Sequence, residues 1–455
     1  MTVPATGGAR GTELRRELGV FSASLMVVGG IIGSGIFFTP AEVAKALPSG
    51  ELILTVWVVG GVVALAGALS YAELGAMFPD AGGPYVYIRK AFGPLASFLC
   101  GWMTMLSIAT GALAAVAMGF AGYVERFVAI DVVGGRIGMA ALTLTVLAVT
   151  NYAGIRPGAA VQNVLTLAKI LALTALIVGG LVLWSALGTP PAVADAPAAR
   201  SSLASGAAAA FVAVLFTIGG WQQMNMVAGE VRDPERTIPR ALGIGIAIVI
   251  AIYLGANAVY LHTLGRDGLA ASAAVAADVA TRMVGPIGAT LITVSAMLSI
   301  LGFVNVAMLG NSRMPYAMAR DGEFVAAAGR VHPRFGTPHI AIVIIWAWSL
   351  LLLFASRGRI GDLLSGVVFA DWIFFGLGAA SVFVLRRTMP DARRPYRALG
   401  YPVVPALFVV AAMVGVISAI VSAPMTSGLG ALLLAAGVVW YRVSKGAAGR
   451  QASST

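Results

Sequence analysis

The stretch VVGGIIGSGIFFTP, residues 27–40, lies in a long apolar run and yet holds four glycines and a serine between positions 29 and 35. An apolar run of this length predicts a membrane-spanning helix, and its glycines predict a break in the middle of that helix. Unwound backbone is costly in lipid unless it lines a cavity inside the protein. The sequence therefore predicts a cavity within the membrane.

The whole chain has the composition of a membrane protein. Of its 455 residues, 59% are hydrophobic and 11% are charged, and the mean hydropathy is +0.91. Apolar runs of roughly 20 residues, enough to cross a hydrocarbon core of about 30 Å, recur along the chain. They predict an all-α polytopic membrane protein with twelve transmembrane helices, near residues 18–46, 52–77, 95–124, 136–154, 158–187, 203–229, 240–263, 286–318, 338–356, 361–387, 401–422 and 427–444.

The formal net charge of +11 follows the predicted topology. Most of the basic residues fall in alternate loops, including RDPERTIPR at 232–240 and RRTMPDARRPYR at 386–397. By the positive-inside rule, these loops and both termini are cytoplasmic. The basic excess therefore predicts no nucleic-acid partner, and the Arg-, Ala- and Gly-rich composition is typical of a bacterial inner membrane.

No motif in the chain predicts a catalytic site, a cofactor or a metal. The single cysteine, Cys100, excludes an intramolecular disulfide. His262, His332 and His339 fall at predicted helix ends, and we expect them to lie apart. The chain is therefore not expected to be an enzyme.

A second break is predicted in the sixth span. The segment AAFVAVLFTIGGWQQMNMVAGE has two glycines, Gly219 and Gly220, followed by a polar stretch. Breaks at corresponding positions of two five-helix halves suggest a duplicated transporter with inverted topology. The predicted parts are an N-terminal tail (1–17), a first repeat (18–187), an inverted second repeat (203–387), two additional helices (401–444) and a disordered cytoplasmic tail (445–455).

The two breaks offer complementary chemistry. The first exposes amide groups near Ser34, Gly35 and Ile36 at the start of a helix, which suit a carboxylate. The second exposes carbonyl groups near Phe216, Thr217 and Ile218 at the end of a helix, which suit an ammonium group. An α-amino acid is the simplest molecule with both ends. Glycines also serve as packing points between membrane helices, but two matched clusters favour a binding site.

Four segments of the chain resemble the amino acid–polyamine–organocation superfamily and its L-type amino acid transporter branch. They are GGIIGSGIFFTP, FTIGGWQQMNMVAGEVRDPERTIPRA, SRMPYAMARDG and HPRFGTP. The resemblance covers about residues 15–440. It implies the leucine-transporter-like fold, a five-plus-five inverted repeat with broken helices 1 and 6, and amino acid transport by alternating access.

The resemblance also implies roles for individual residues. It places the substrate carboxylate on the backbone of Gly33, Ser34 and Gly35. It places the amine on the carbonyl groups at the second break, which correspond to Phe216, Thr217 and Gly219. It further implies that the Phe216 ring closes over the substrate as a gate. The candidate substrate-binding residues are therefore Ile31, Gly33, Ser34, Gly35, Ile36, Phe216, Thr217, Ile218 and Gly219.

Lys169 and Ser299 are the candidate coupling residues. Lys169 lies about 15 Å into the fifth span, near the membrane midplane, where charges are costly and usually functional. In the resemblance it matches a lysine whose ammonium takes the place of sodium, which predicts transport without sodium. A fixed strut between the first and fifth spans is the alternative. The Ser299 hydroxyl is a candidate partner for Lys169, with packing inside the bundle as an equal alternative for Ser299.

Three carboxylates stand within or near predicted spans. Asp371 lies deep in the tenth span, where a fixed ion pair is favoured over a proton carrier. Glu73 and Glu230 lie near cytoplasmic ends, where pairing with arginine is expected. Small and polar residues of the eighth span form one stripe that we expect to face the first and fifth spans: Ser295, Ser299, Gly302 and Asn305.

The sequence thus predicts a secondary active transporter that moves L-amino acids by sodium-independent exchange or proton symport. A polyamine exchanger of the same superfamily is the alternative, but its cationic substrate would need acidic groups that neither break carries. An uncoupled channel or a membrane enzyme is less favoured. The predicted partners are an amino acid, protons in the symport case and the lipid bilayer, with the protein a monomer or weak oligomer.

Overall fold

The computed structural model describes residues 13–190, 193, 202–358 and 361–452, with the backbone alone for 361–368 and 446–452. These residues form helices joined by short connections. The helices are α1 (Val20–Ile31), α2 (Gly35–Ala46), α3 (Gly50–Met77), α4 (Pro84–Phe92), α5 (Pro94–Met103), α6 (Ala109–Val124), α7 (Gly135–Tyr152), α8 (Ile155–Val182), α9 (Trp184–Leu187), α10 (Leu203–Ile218), α11 (Gln223–Met226), α12 (Pro234–Ala271), α13 (Val275–Val284), α14 (Pro286–Asn311), α15 (Arg313–Arg320), α16 (His339–Ala355), α17 (Gly361–Thr388), α18 (Val403–Ser422) and α19 (Pro424–Ala452).

The all-α polytopic membrane class is confirmed. Within the described residues, nine helical segments are long and apolar enough to cross a membrane, or ten if α1 and α2 form one bent span. The two other predicted spans correspond to α7, with 18 residues, and α16, with 17 residues, which are not among these segments. The count of twelve stays a prediction.

Both predicted breaks are present. Helix α1 ends at Ile31 and α2 begins at Gly35, with a bend of 40° between them. Helix α10 ends at Ile218, and the chain turns through Gly219–Gln222 before the short α11. The local glycine clusters identified both positions because they weaken the helix there.

The order of helices is similar in the two halves. Each half begins with a broken helix and continues with a long one, α3 in the first half and α12 in the second. Each then has a short helix of nine or ten residues, α4 and α13 respectively. This order is that of a repeat, while the limits of the predicted repeats, 18–187 and 203–387, stay a prediction.

The two breaks pack backbone against backbone. Gly220 has φ +108°, which favours glycine, and a methyl group there would collide with the carbonyl oxygen of Gly30. The Tyr253 hydroxyl of α12 lies 3.2 Å from the Ile31 carbonyl oxygen and 3.3 Å from that of Thr217. Tyr253 therefore holds the two breaks against each other from behind.

One end of the helix bundle, which we call the N-terminal face, carries residues 13–19 and the segments 78–83, 229–233 and 320–338. Leu18 pairs with Val231 there through a short parallel bridge, and the Gly82 amide donates to the Met226 carbonyl. Glu230 is paired with Arg313 at 2.8 Å, with both side chains fully buried. The predicted pairing of Glu230 is therefore confirmed.

Glu73 is also paired with arginine, as predicted. Its carboxylate lies 2.6 Å from Arg386 and 3.4 Å from Arg394, and it accepts a hydrogen bond from the Ala398 amide. These contacts join α3 to the end of α17 and the segment after it.

The stripe of small and polar residues on α14 faces the first span and the fifth span, α8, as predicted. Ser299 donates to carbonyl groups of the first break, and Asn305 donates to the Gly158 carbonyl and to Gln162 of α8. Gly302 packs against Lys169. Ser295 is buried, and its hydroxyl has no partner among the described residues.

Two expectations from the sequence are wrong. His332 and His339 do not lie apart: their ring centroids are 5.1 Å from each other, because both pack on Tyr152. The tail is not irregular from residue 445, because α19 continues to Ala452 through alanine, arginine and glutamine, which favour helix. The sequence also predicts that the Pro- and Ala-rich segment 188–202 is a loop outside the membrane, and most of this segment lies outside the described residues.

Candidate functional site

A cavity of about 180 Å³ is lined by the unwound backbone of the first and second breaks. Further lining residues come from α5, α6 and α17, including the π-helical turn Thr104–Ile108 that joins α5 to α6. Such turns are often found at functional sites. Irregular backbone thus contributes to the lining from the two breaks and from the turn between α5 and α6.

The first break presents unpaired amide groups. Among the described residues, the backbone N–H groups of Ser34, Gly35 and Ile36 have no protein acceptor, whereas that of Gly33 donates to Ile31. Ser34 and Gly35 line the cavity. These amide groups at the start of α2 can thus donate hydrogen bonds to an anionic group.

The second break presents carbonyl groups, but fewer than predicted. The Phe216 carbonyl accepts from the Gly219 amide, and the Thr217 carbonyl contacts the Tyr253 hydroxyl. The Ile218 carbonyl has no partner among the described residues. It lies at the end of α10, where the helix dipole favours a cation.

The structure brings most of the predicted substrate-binding residues to the cavity wall. They are Ile31, Gly33, Ser34, Gly35, Phe216, Thr217 and Gly219. The side chains of Ile36 and Ile218 are buried away from it, at 0% and 2% exposure. Those two residues can reach the cavity through their backbone alone.

Lys169 lies behind the first break and does not line the cavity. Its ammonium donates to the carbonyl oxygens of Ile32 at 2.5 Å, Ser299 at 3.1 Å and Gly29 at 3.3 Å. Of the two roles considered for the Ser299 hydroxyl, a bond to Lys169 or packing within the bundle, the structure does not show the bond to Lys169. That hydroxyl bonds the Ile32 and Gly33 carbonyls instead, each at 2.9 Å, because unwound backbone leaves acceptors there.

Asp371 lines the cavity from α17 and is partly buried. The expected fixed ion pair is absent: no hydrogen bond or salt bridge joins Asp371 to any residue that the structure describes. Among the described lining residues, it alone carries a formal charge. Sequence reasoning identified Asp371 as a deep charge but could not place α17 at the cavity.

The cavity opens away from the N-terminal face. Phe216 is 59% exposed, and Ser34 and Gly35 are partly exposed. Toward the N-terminal face the lining residues are buried, as Met226 and Asn311 show with 4% and 5% exposure. The cavity is thus closed toward the N-terminal face and open at the end where Phe216 lies.

Several lining residues have no counterpart in the sequence-based prediction. They are Thr104, Gln222, Gln223, Phe303, Asn311, Trp372 and Phe375. The Gln222 side chain accepts a hydrogen bond from the Gly220 amide and so fixes the second break. The polar stretch after Gly220 could have identified Gln222 and Gln223 as lining residues. The remaining residues lie on helices whose packing against the breaks cannot be predicted from the sequence.

Comparison with known proteins places the chain among transport proteins. A model of the amino acid permease family matches residues 18–441. The cystine/glutamate transporter of Homo sapiens is 32% identical over 437 residues, which are 95% of this chain and 86% of that protein.

Two further relatives are named for other amino acids than cystine and glutamate. The large neutral amino acids transporter small subunit 2 of Mus musculus is 33% identical over 448 residues, 96% of this chain and 82% of its own length. The serine/threonine exchanger SteT of Bacillus subtilis is 31% identical over 441 residues, 95% of this chain and 98% of its own length.

Proposed function

The chain belongs to the amino acid permease family, within the amino acid–polyamine–organocation superfamily, and we propose that it exchanges amino acids across the membrane without sodium. Membership makes it a secondary amino acid transporter with a multi-pass helical fold, and not an enzyme. The relatives carry different amino acids in their names. The substrate of this chain therefore has to be argued from its own cavity.

In the proposed site, the substrate lies between the two breaks. Its carboxylate accepts hydrogen bonds from the amides of Ser34, Gly35 and Ile36, next to Gly33. Its ammonium donates to the Ile218 carbonyl and to the second lone pairs of neighbouring carbonyls. The unpaired amides of the first break are the observation that carries this proposal.

Phe216 is the proposed gate. Its ring lines the cavity at the open end and is 59% exposed. A bound amino acid gives this ring an apolar surface to cover, which would close the open end. Closure over the substrate and opening of the N-terminal face together would complete alternating access.

Sodium independence rests on Lys169. Its ammonium has three donors, and three carbonyl oxygens surround it, whereas a neutral amine would have two donors. A fixed cation at the break makes a sodium ion there unfavourable. Because the three bonds hold the charge in place, a proton cycle at Lys169 is disfavoured, and exchange is the favoured mode.

The orientation follows from charge. The N-terminal face carries Arg15, Arg232, Arg330 and Arg334, which favours a cytoplasmic location for it and for both termini. The open end would then face outward. The proposed location is a bacterial inner membrane, with a monomer or weak oligomer as the functional unit.

Transport by purified protein in liposomes tests the proposal. We expect labelled amino acid to enter in sodium-free buffer when the liposomes contain unlabelled amino acid, and to enter poorly when they contain none. A proton gradient should not replace internal substrate. Uptake that requires sodium would contradict the role of Lys169, and uptake into empty liposomes driven by protons would replace exchange by symport.

A further inference from the structure

Asp371 is a carboxylate without a partner in the middle of the molecule. A charge in a membrane protein is costly unless it is paired, hydrated or used. Asp371 has no hydrogen bond or salt bridge within the described residues, and it lines the same cavity as both breaks. Its role therefore has to be sought in what the cavity binds.

Three cations on α17 or on helices that pack against it are engaged elsewhere. Arg386, on the same helix, pairs with Glu73. Arg89 of α4 and Lys445 of α19 both pair with Glu323. Since no cation of the described residues is paired with Asp371, a positive charge beside it would have to come from a ligand or a proton.

Asp371 lies on a different element from the groups proposed to bind the substrate backbone. The breaks belong to the segments α1–α2 and α10–α11, whereas Asp371 lies on α17 and lines the same cavity with Thr104 of the π-helical turn and with Phe374 and Phe375. These last two lie three and four residues after Asp371 and so share its face of α17. The side chain of a substrate held at the breaks shares the cavity with this face of α17.

We propose that Asp371 binds a cationic group on the substrate side chain, so that the transporter prefers basic amino acids. This inference rests on the proposed function. The carboxylate and ammonium of the substrate backbone cancel each other, and Asp371 remains as the uncompensated charge of the site. A lysine-, ornithine- or arginine-like side chain neutralises it, whereas a neutral side chain leaves it unpaired.

The test compares ligands that differ in side-chain charge. Binding to the purified full-length protein is measured for lysine against norleucine and for arginine against citrulline, which have similar shapes without the charge. The wild-type protein should bind the charged member of each pair at least about tenfold more tightly, the gain expected for one charge-assisted hydrogen bond.

Variants assign that preference to Asp371. Asp371→Asn should abolish the preference while leaving the affinity for norleucine within about twofold, and Asp371→Glu should retain the preference. Glu42→Gln removes one negative charge from an exposed position paired with Lys45. This control should leave the ratio of affinities unchanged.

Other outcomes overturn the inference. Equal loss of charged and neutral ligands in Asp371→Asn would mean that Asp371 binds the substrate backbone or maintains the fold. If Asp371→Asn kept the ratio of affinities for charged and neutral ligands but lost the pH dependence of transport, Asp371 would be a proton carrier. A wild-type protein that binds neutral but not basic amino acids would refute the preference while leaving the proposed transport function intact.

Discussion

Gly33 and Gly35 stand two residues apart in the first break, but a methyl group would meet different surroundings at each. At Gly33 the nearest atoms belong to the Phe303 ring at 3.7 Å, which is ordinary contact. At Gly35 the Thr217 methyl carbon would be 2.6 Å away and its hydroxyl 3.0 Å away. Thr217 has little freedom to move, since its hydroxyl bonds Thr39 at 2.7 Å.

The first prediction separates binding from packing at these two glycines. Gly33→Ala should weaken binding of every α-amino acid about tenfold or more, because the methyl group occupies the space of the carboxylate and removes a charge-assisted bond. Thermal stability should be unchanged. Gly35→Ala should lower both affinity and melting temperature, since it forces α2 away from α10.

Ligand-induced thermal shift and radioligand binding measure the two effects. Wild-type affinity in Gly33→Ala for any amino acid would show that the carboxylate does not bind at the first break. A loss confined to one class of side chain would also count against the assignment, because the backbone of the substrate is common to all.

At the residue scale, local sequence patterns were sufficient to predict where the two helices break. Glycine clusters weaken a helix wherever they occur, so the breaks at Gly33 and Gly219 could be read directly. The partners of Lys169 could not, because the Gly29 and Ile32 carbonyls are freed only where the first break is unwound, and the Ser299 carbonyl depends on how α14 packs. Asp371 was recognised as a buried charge, but its partnerless position depends on how α17 packs.

At the scale of elements, α8 acts as a strut against the broken helix. Lys169 joins it to the Gly29 carbonyl in the last turn of α1, to the Ile32 carbonyl in the first break and to the Ser299 carbonyl of α14. Thr166, one turn earlier on α8, bonds Gln162 within the same helix. The strut therefore depends on Lys169, and Thr166 provides a nearby position without that contact.

The second prediction concerns this strut. Lys169→Ala should abolish transport and lower the melting temperature, because the ammonium no longer holds the broken helix and the buried Gly29 carbonyl is left without a donor, which costs about 1–3 kcal/mol. Sodium should not restore transport in the variant. Thr166→Val, measured in the same liposome assay, should retain most of the activity.

Wild-type activity in Lys169→Ala would show that the break keeps its shape without the ammonium. If Thr166→Val lost as much transport activity as Lys169→Ala, α8 would be sensitive to substitution in general. That result would contradict a specific role for Lys169.

At the scale of the whole molecule, ion pairs hold the N-terminal face closed. Arg89 lies 3.1 Å from Asp321 and 3.4 Å from Glu323, and Lys445 at the end of the last span lies 3.1 Å from Glu323. The Glu323 side chain is 4% exposed. This cluster joins α4, the segment after α15 and α19, which belong to both halves of the fold and to the additional helices.

Alternating access requires that this cluster separate when the cavity opens toward the N-terminal face. Removing one of its charges therefore shifts the population toward that second state, and about 1.4 kcal/mol of differential stabilisation changes the ratio tenfold. Cys100 can report the shift, because it is the single cysteine of the chain, lines the cavity and is 1% exposed in the closed arrangement.

The last prediction is that Glu323→Gln makes Cys100 react several-fold faster with a membrane-impermeant maleimide applied to the N-terminal face of vesicles. Glu125→Gln, which removes the partner of Arg136 at the other end of the bundle, should leave the rate unchanged. A rate unaffected by Glu323→Gln would show that the cluster does not hold the face closed. Equal acceleration in both variants would point to general loosening of the helices, in which case the cluster would not be a gate.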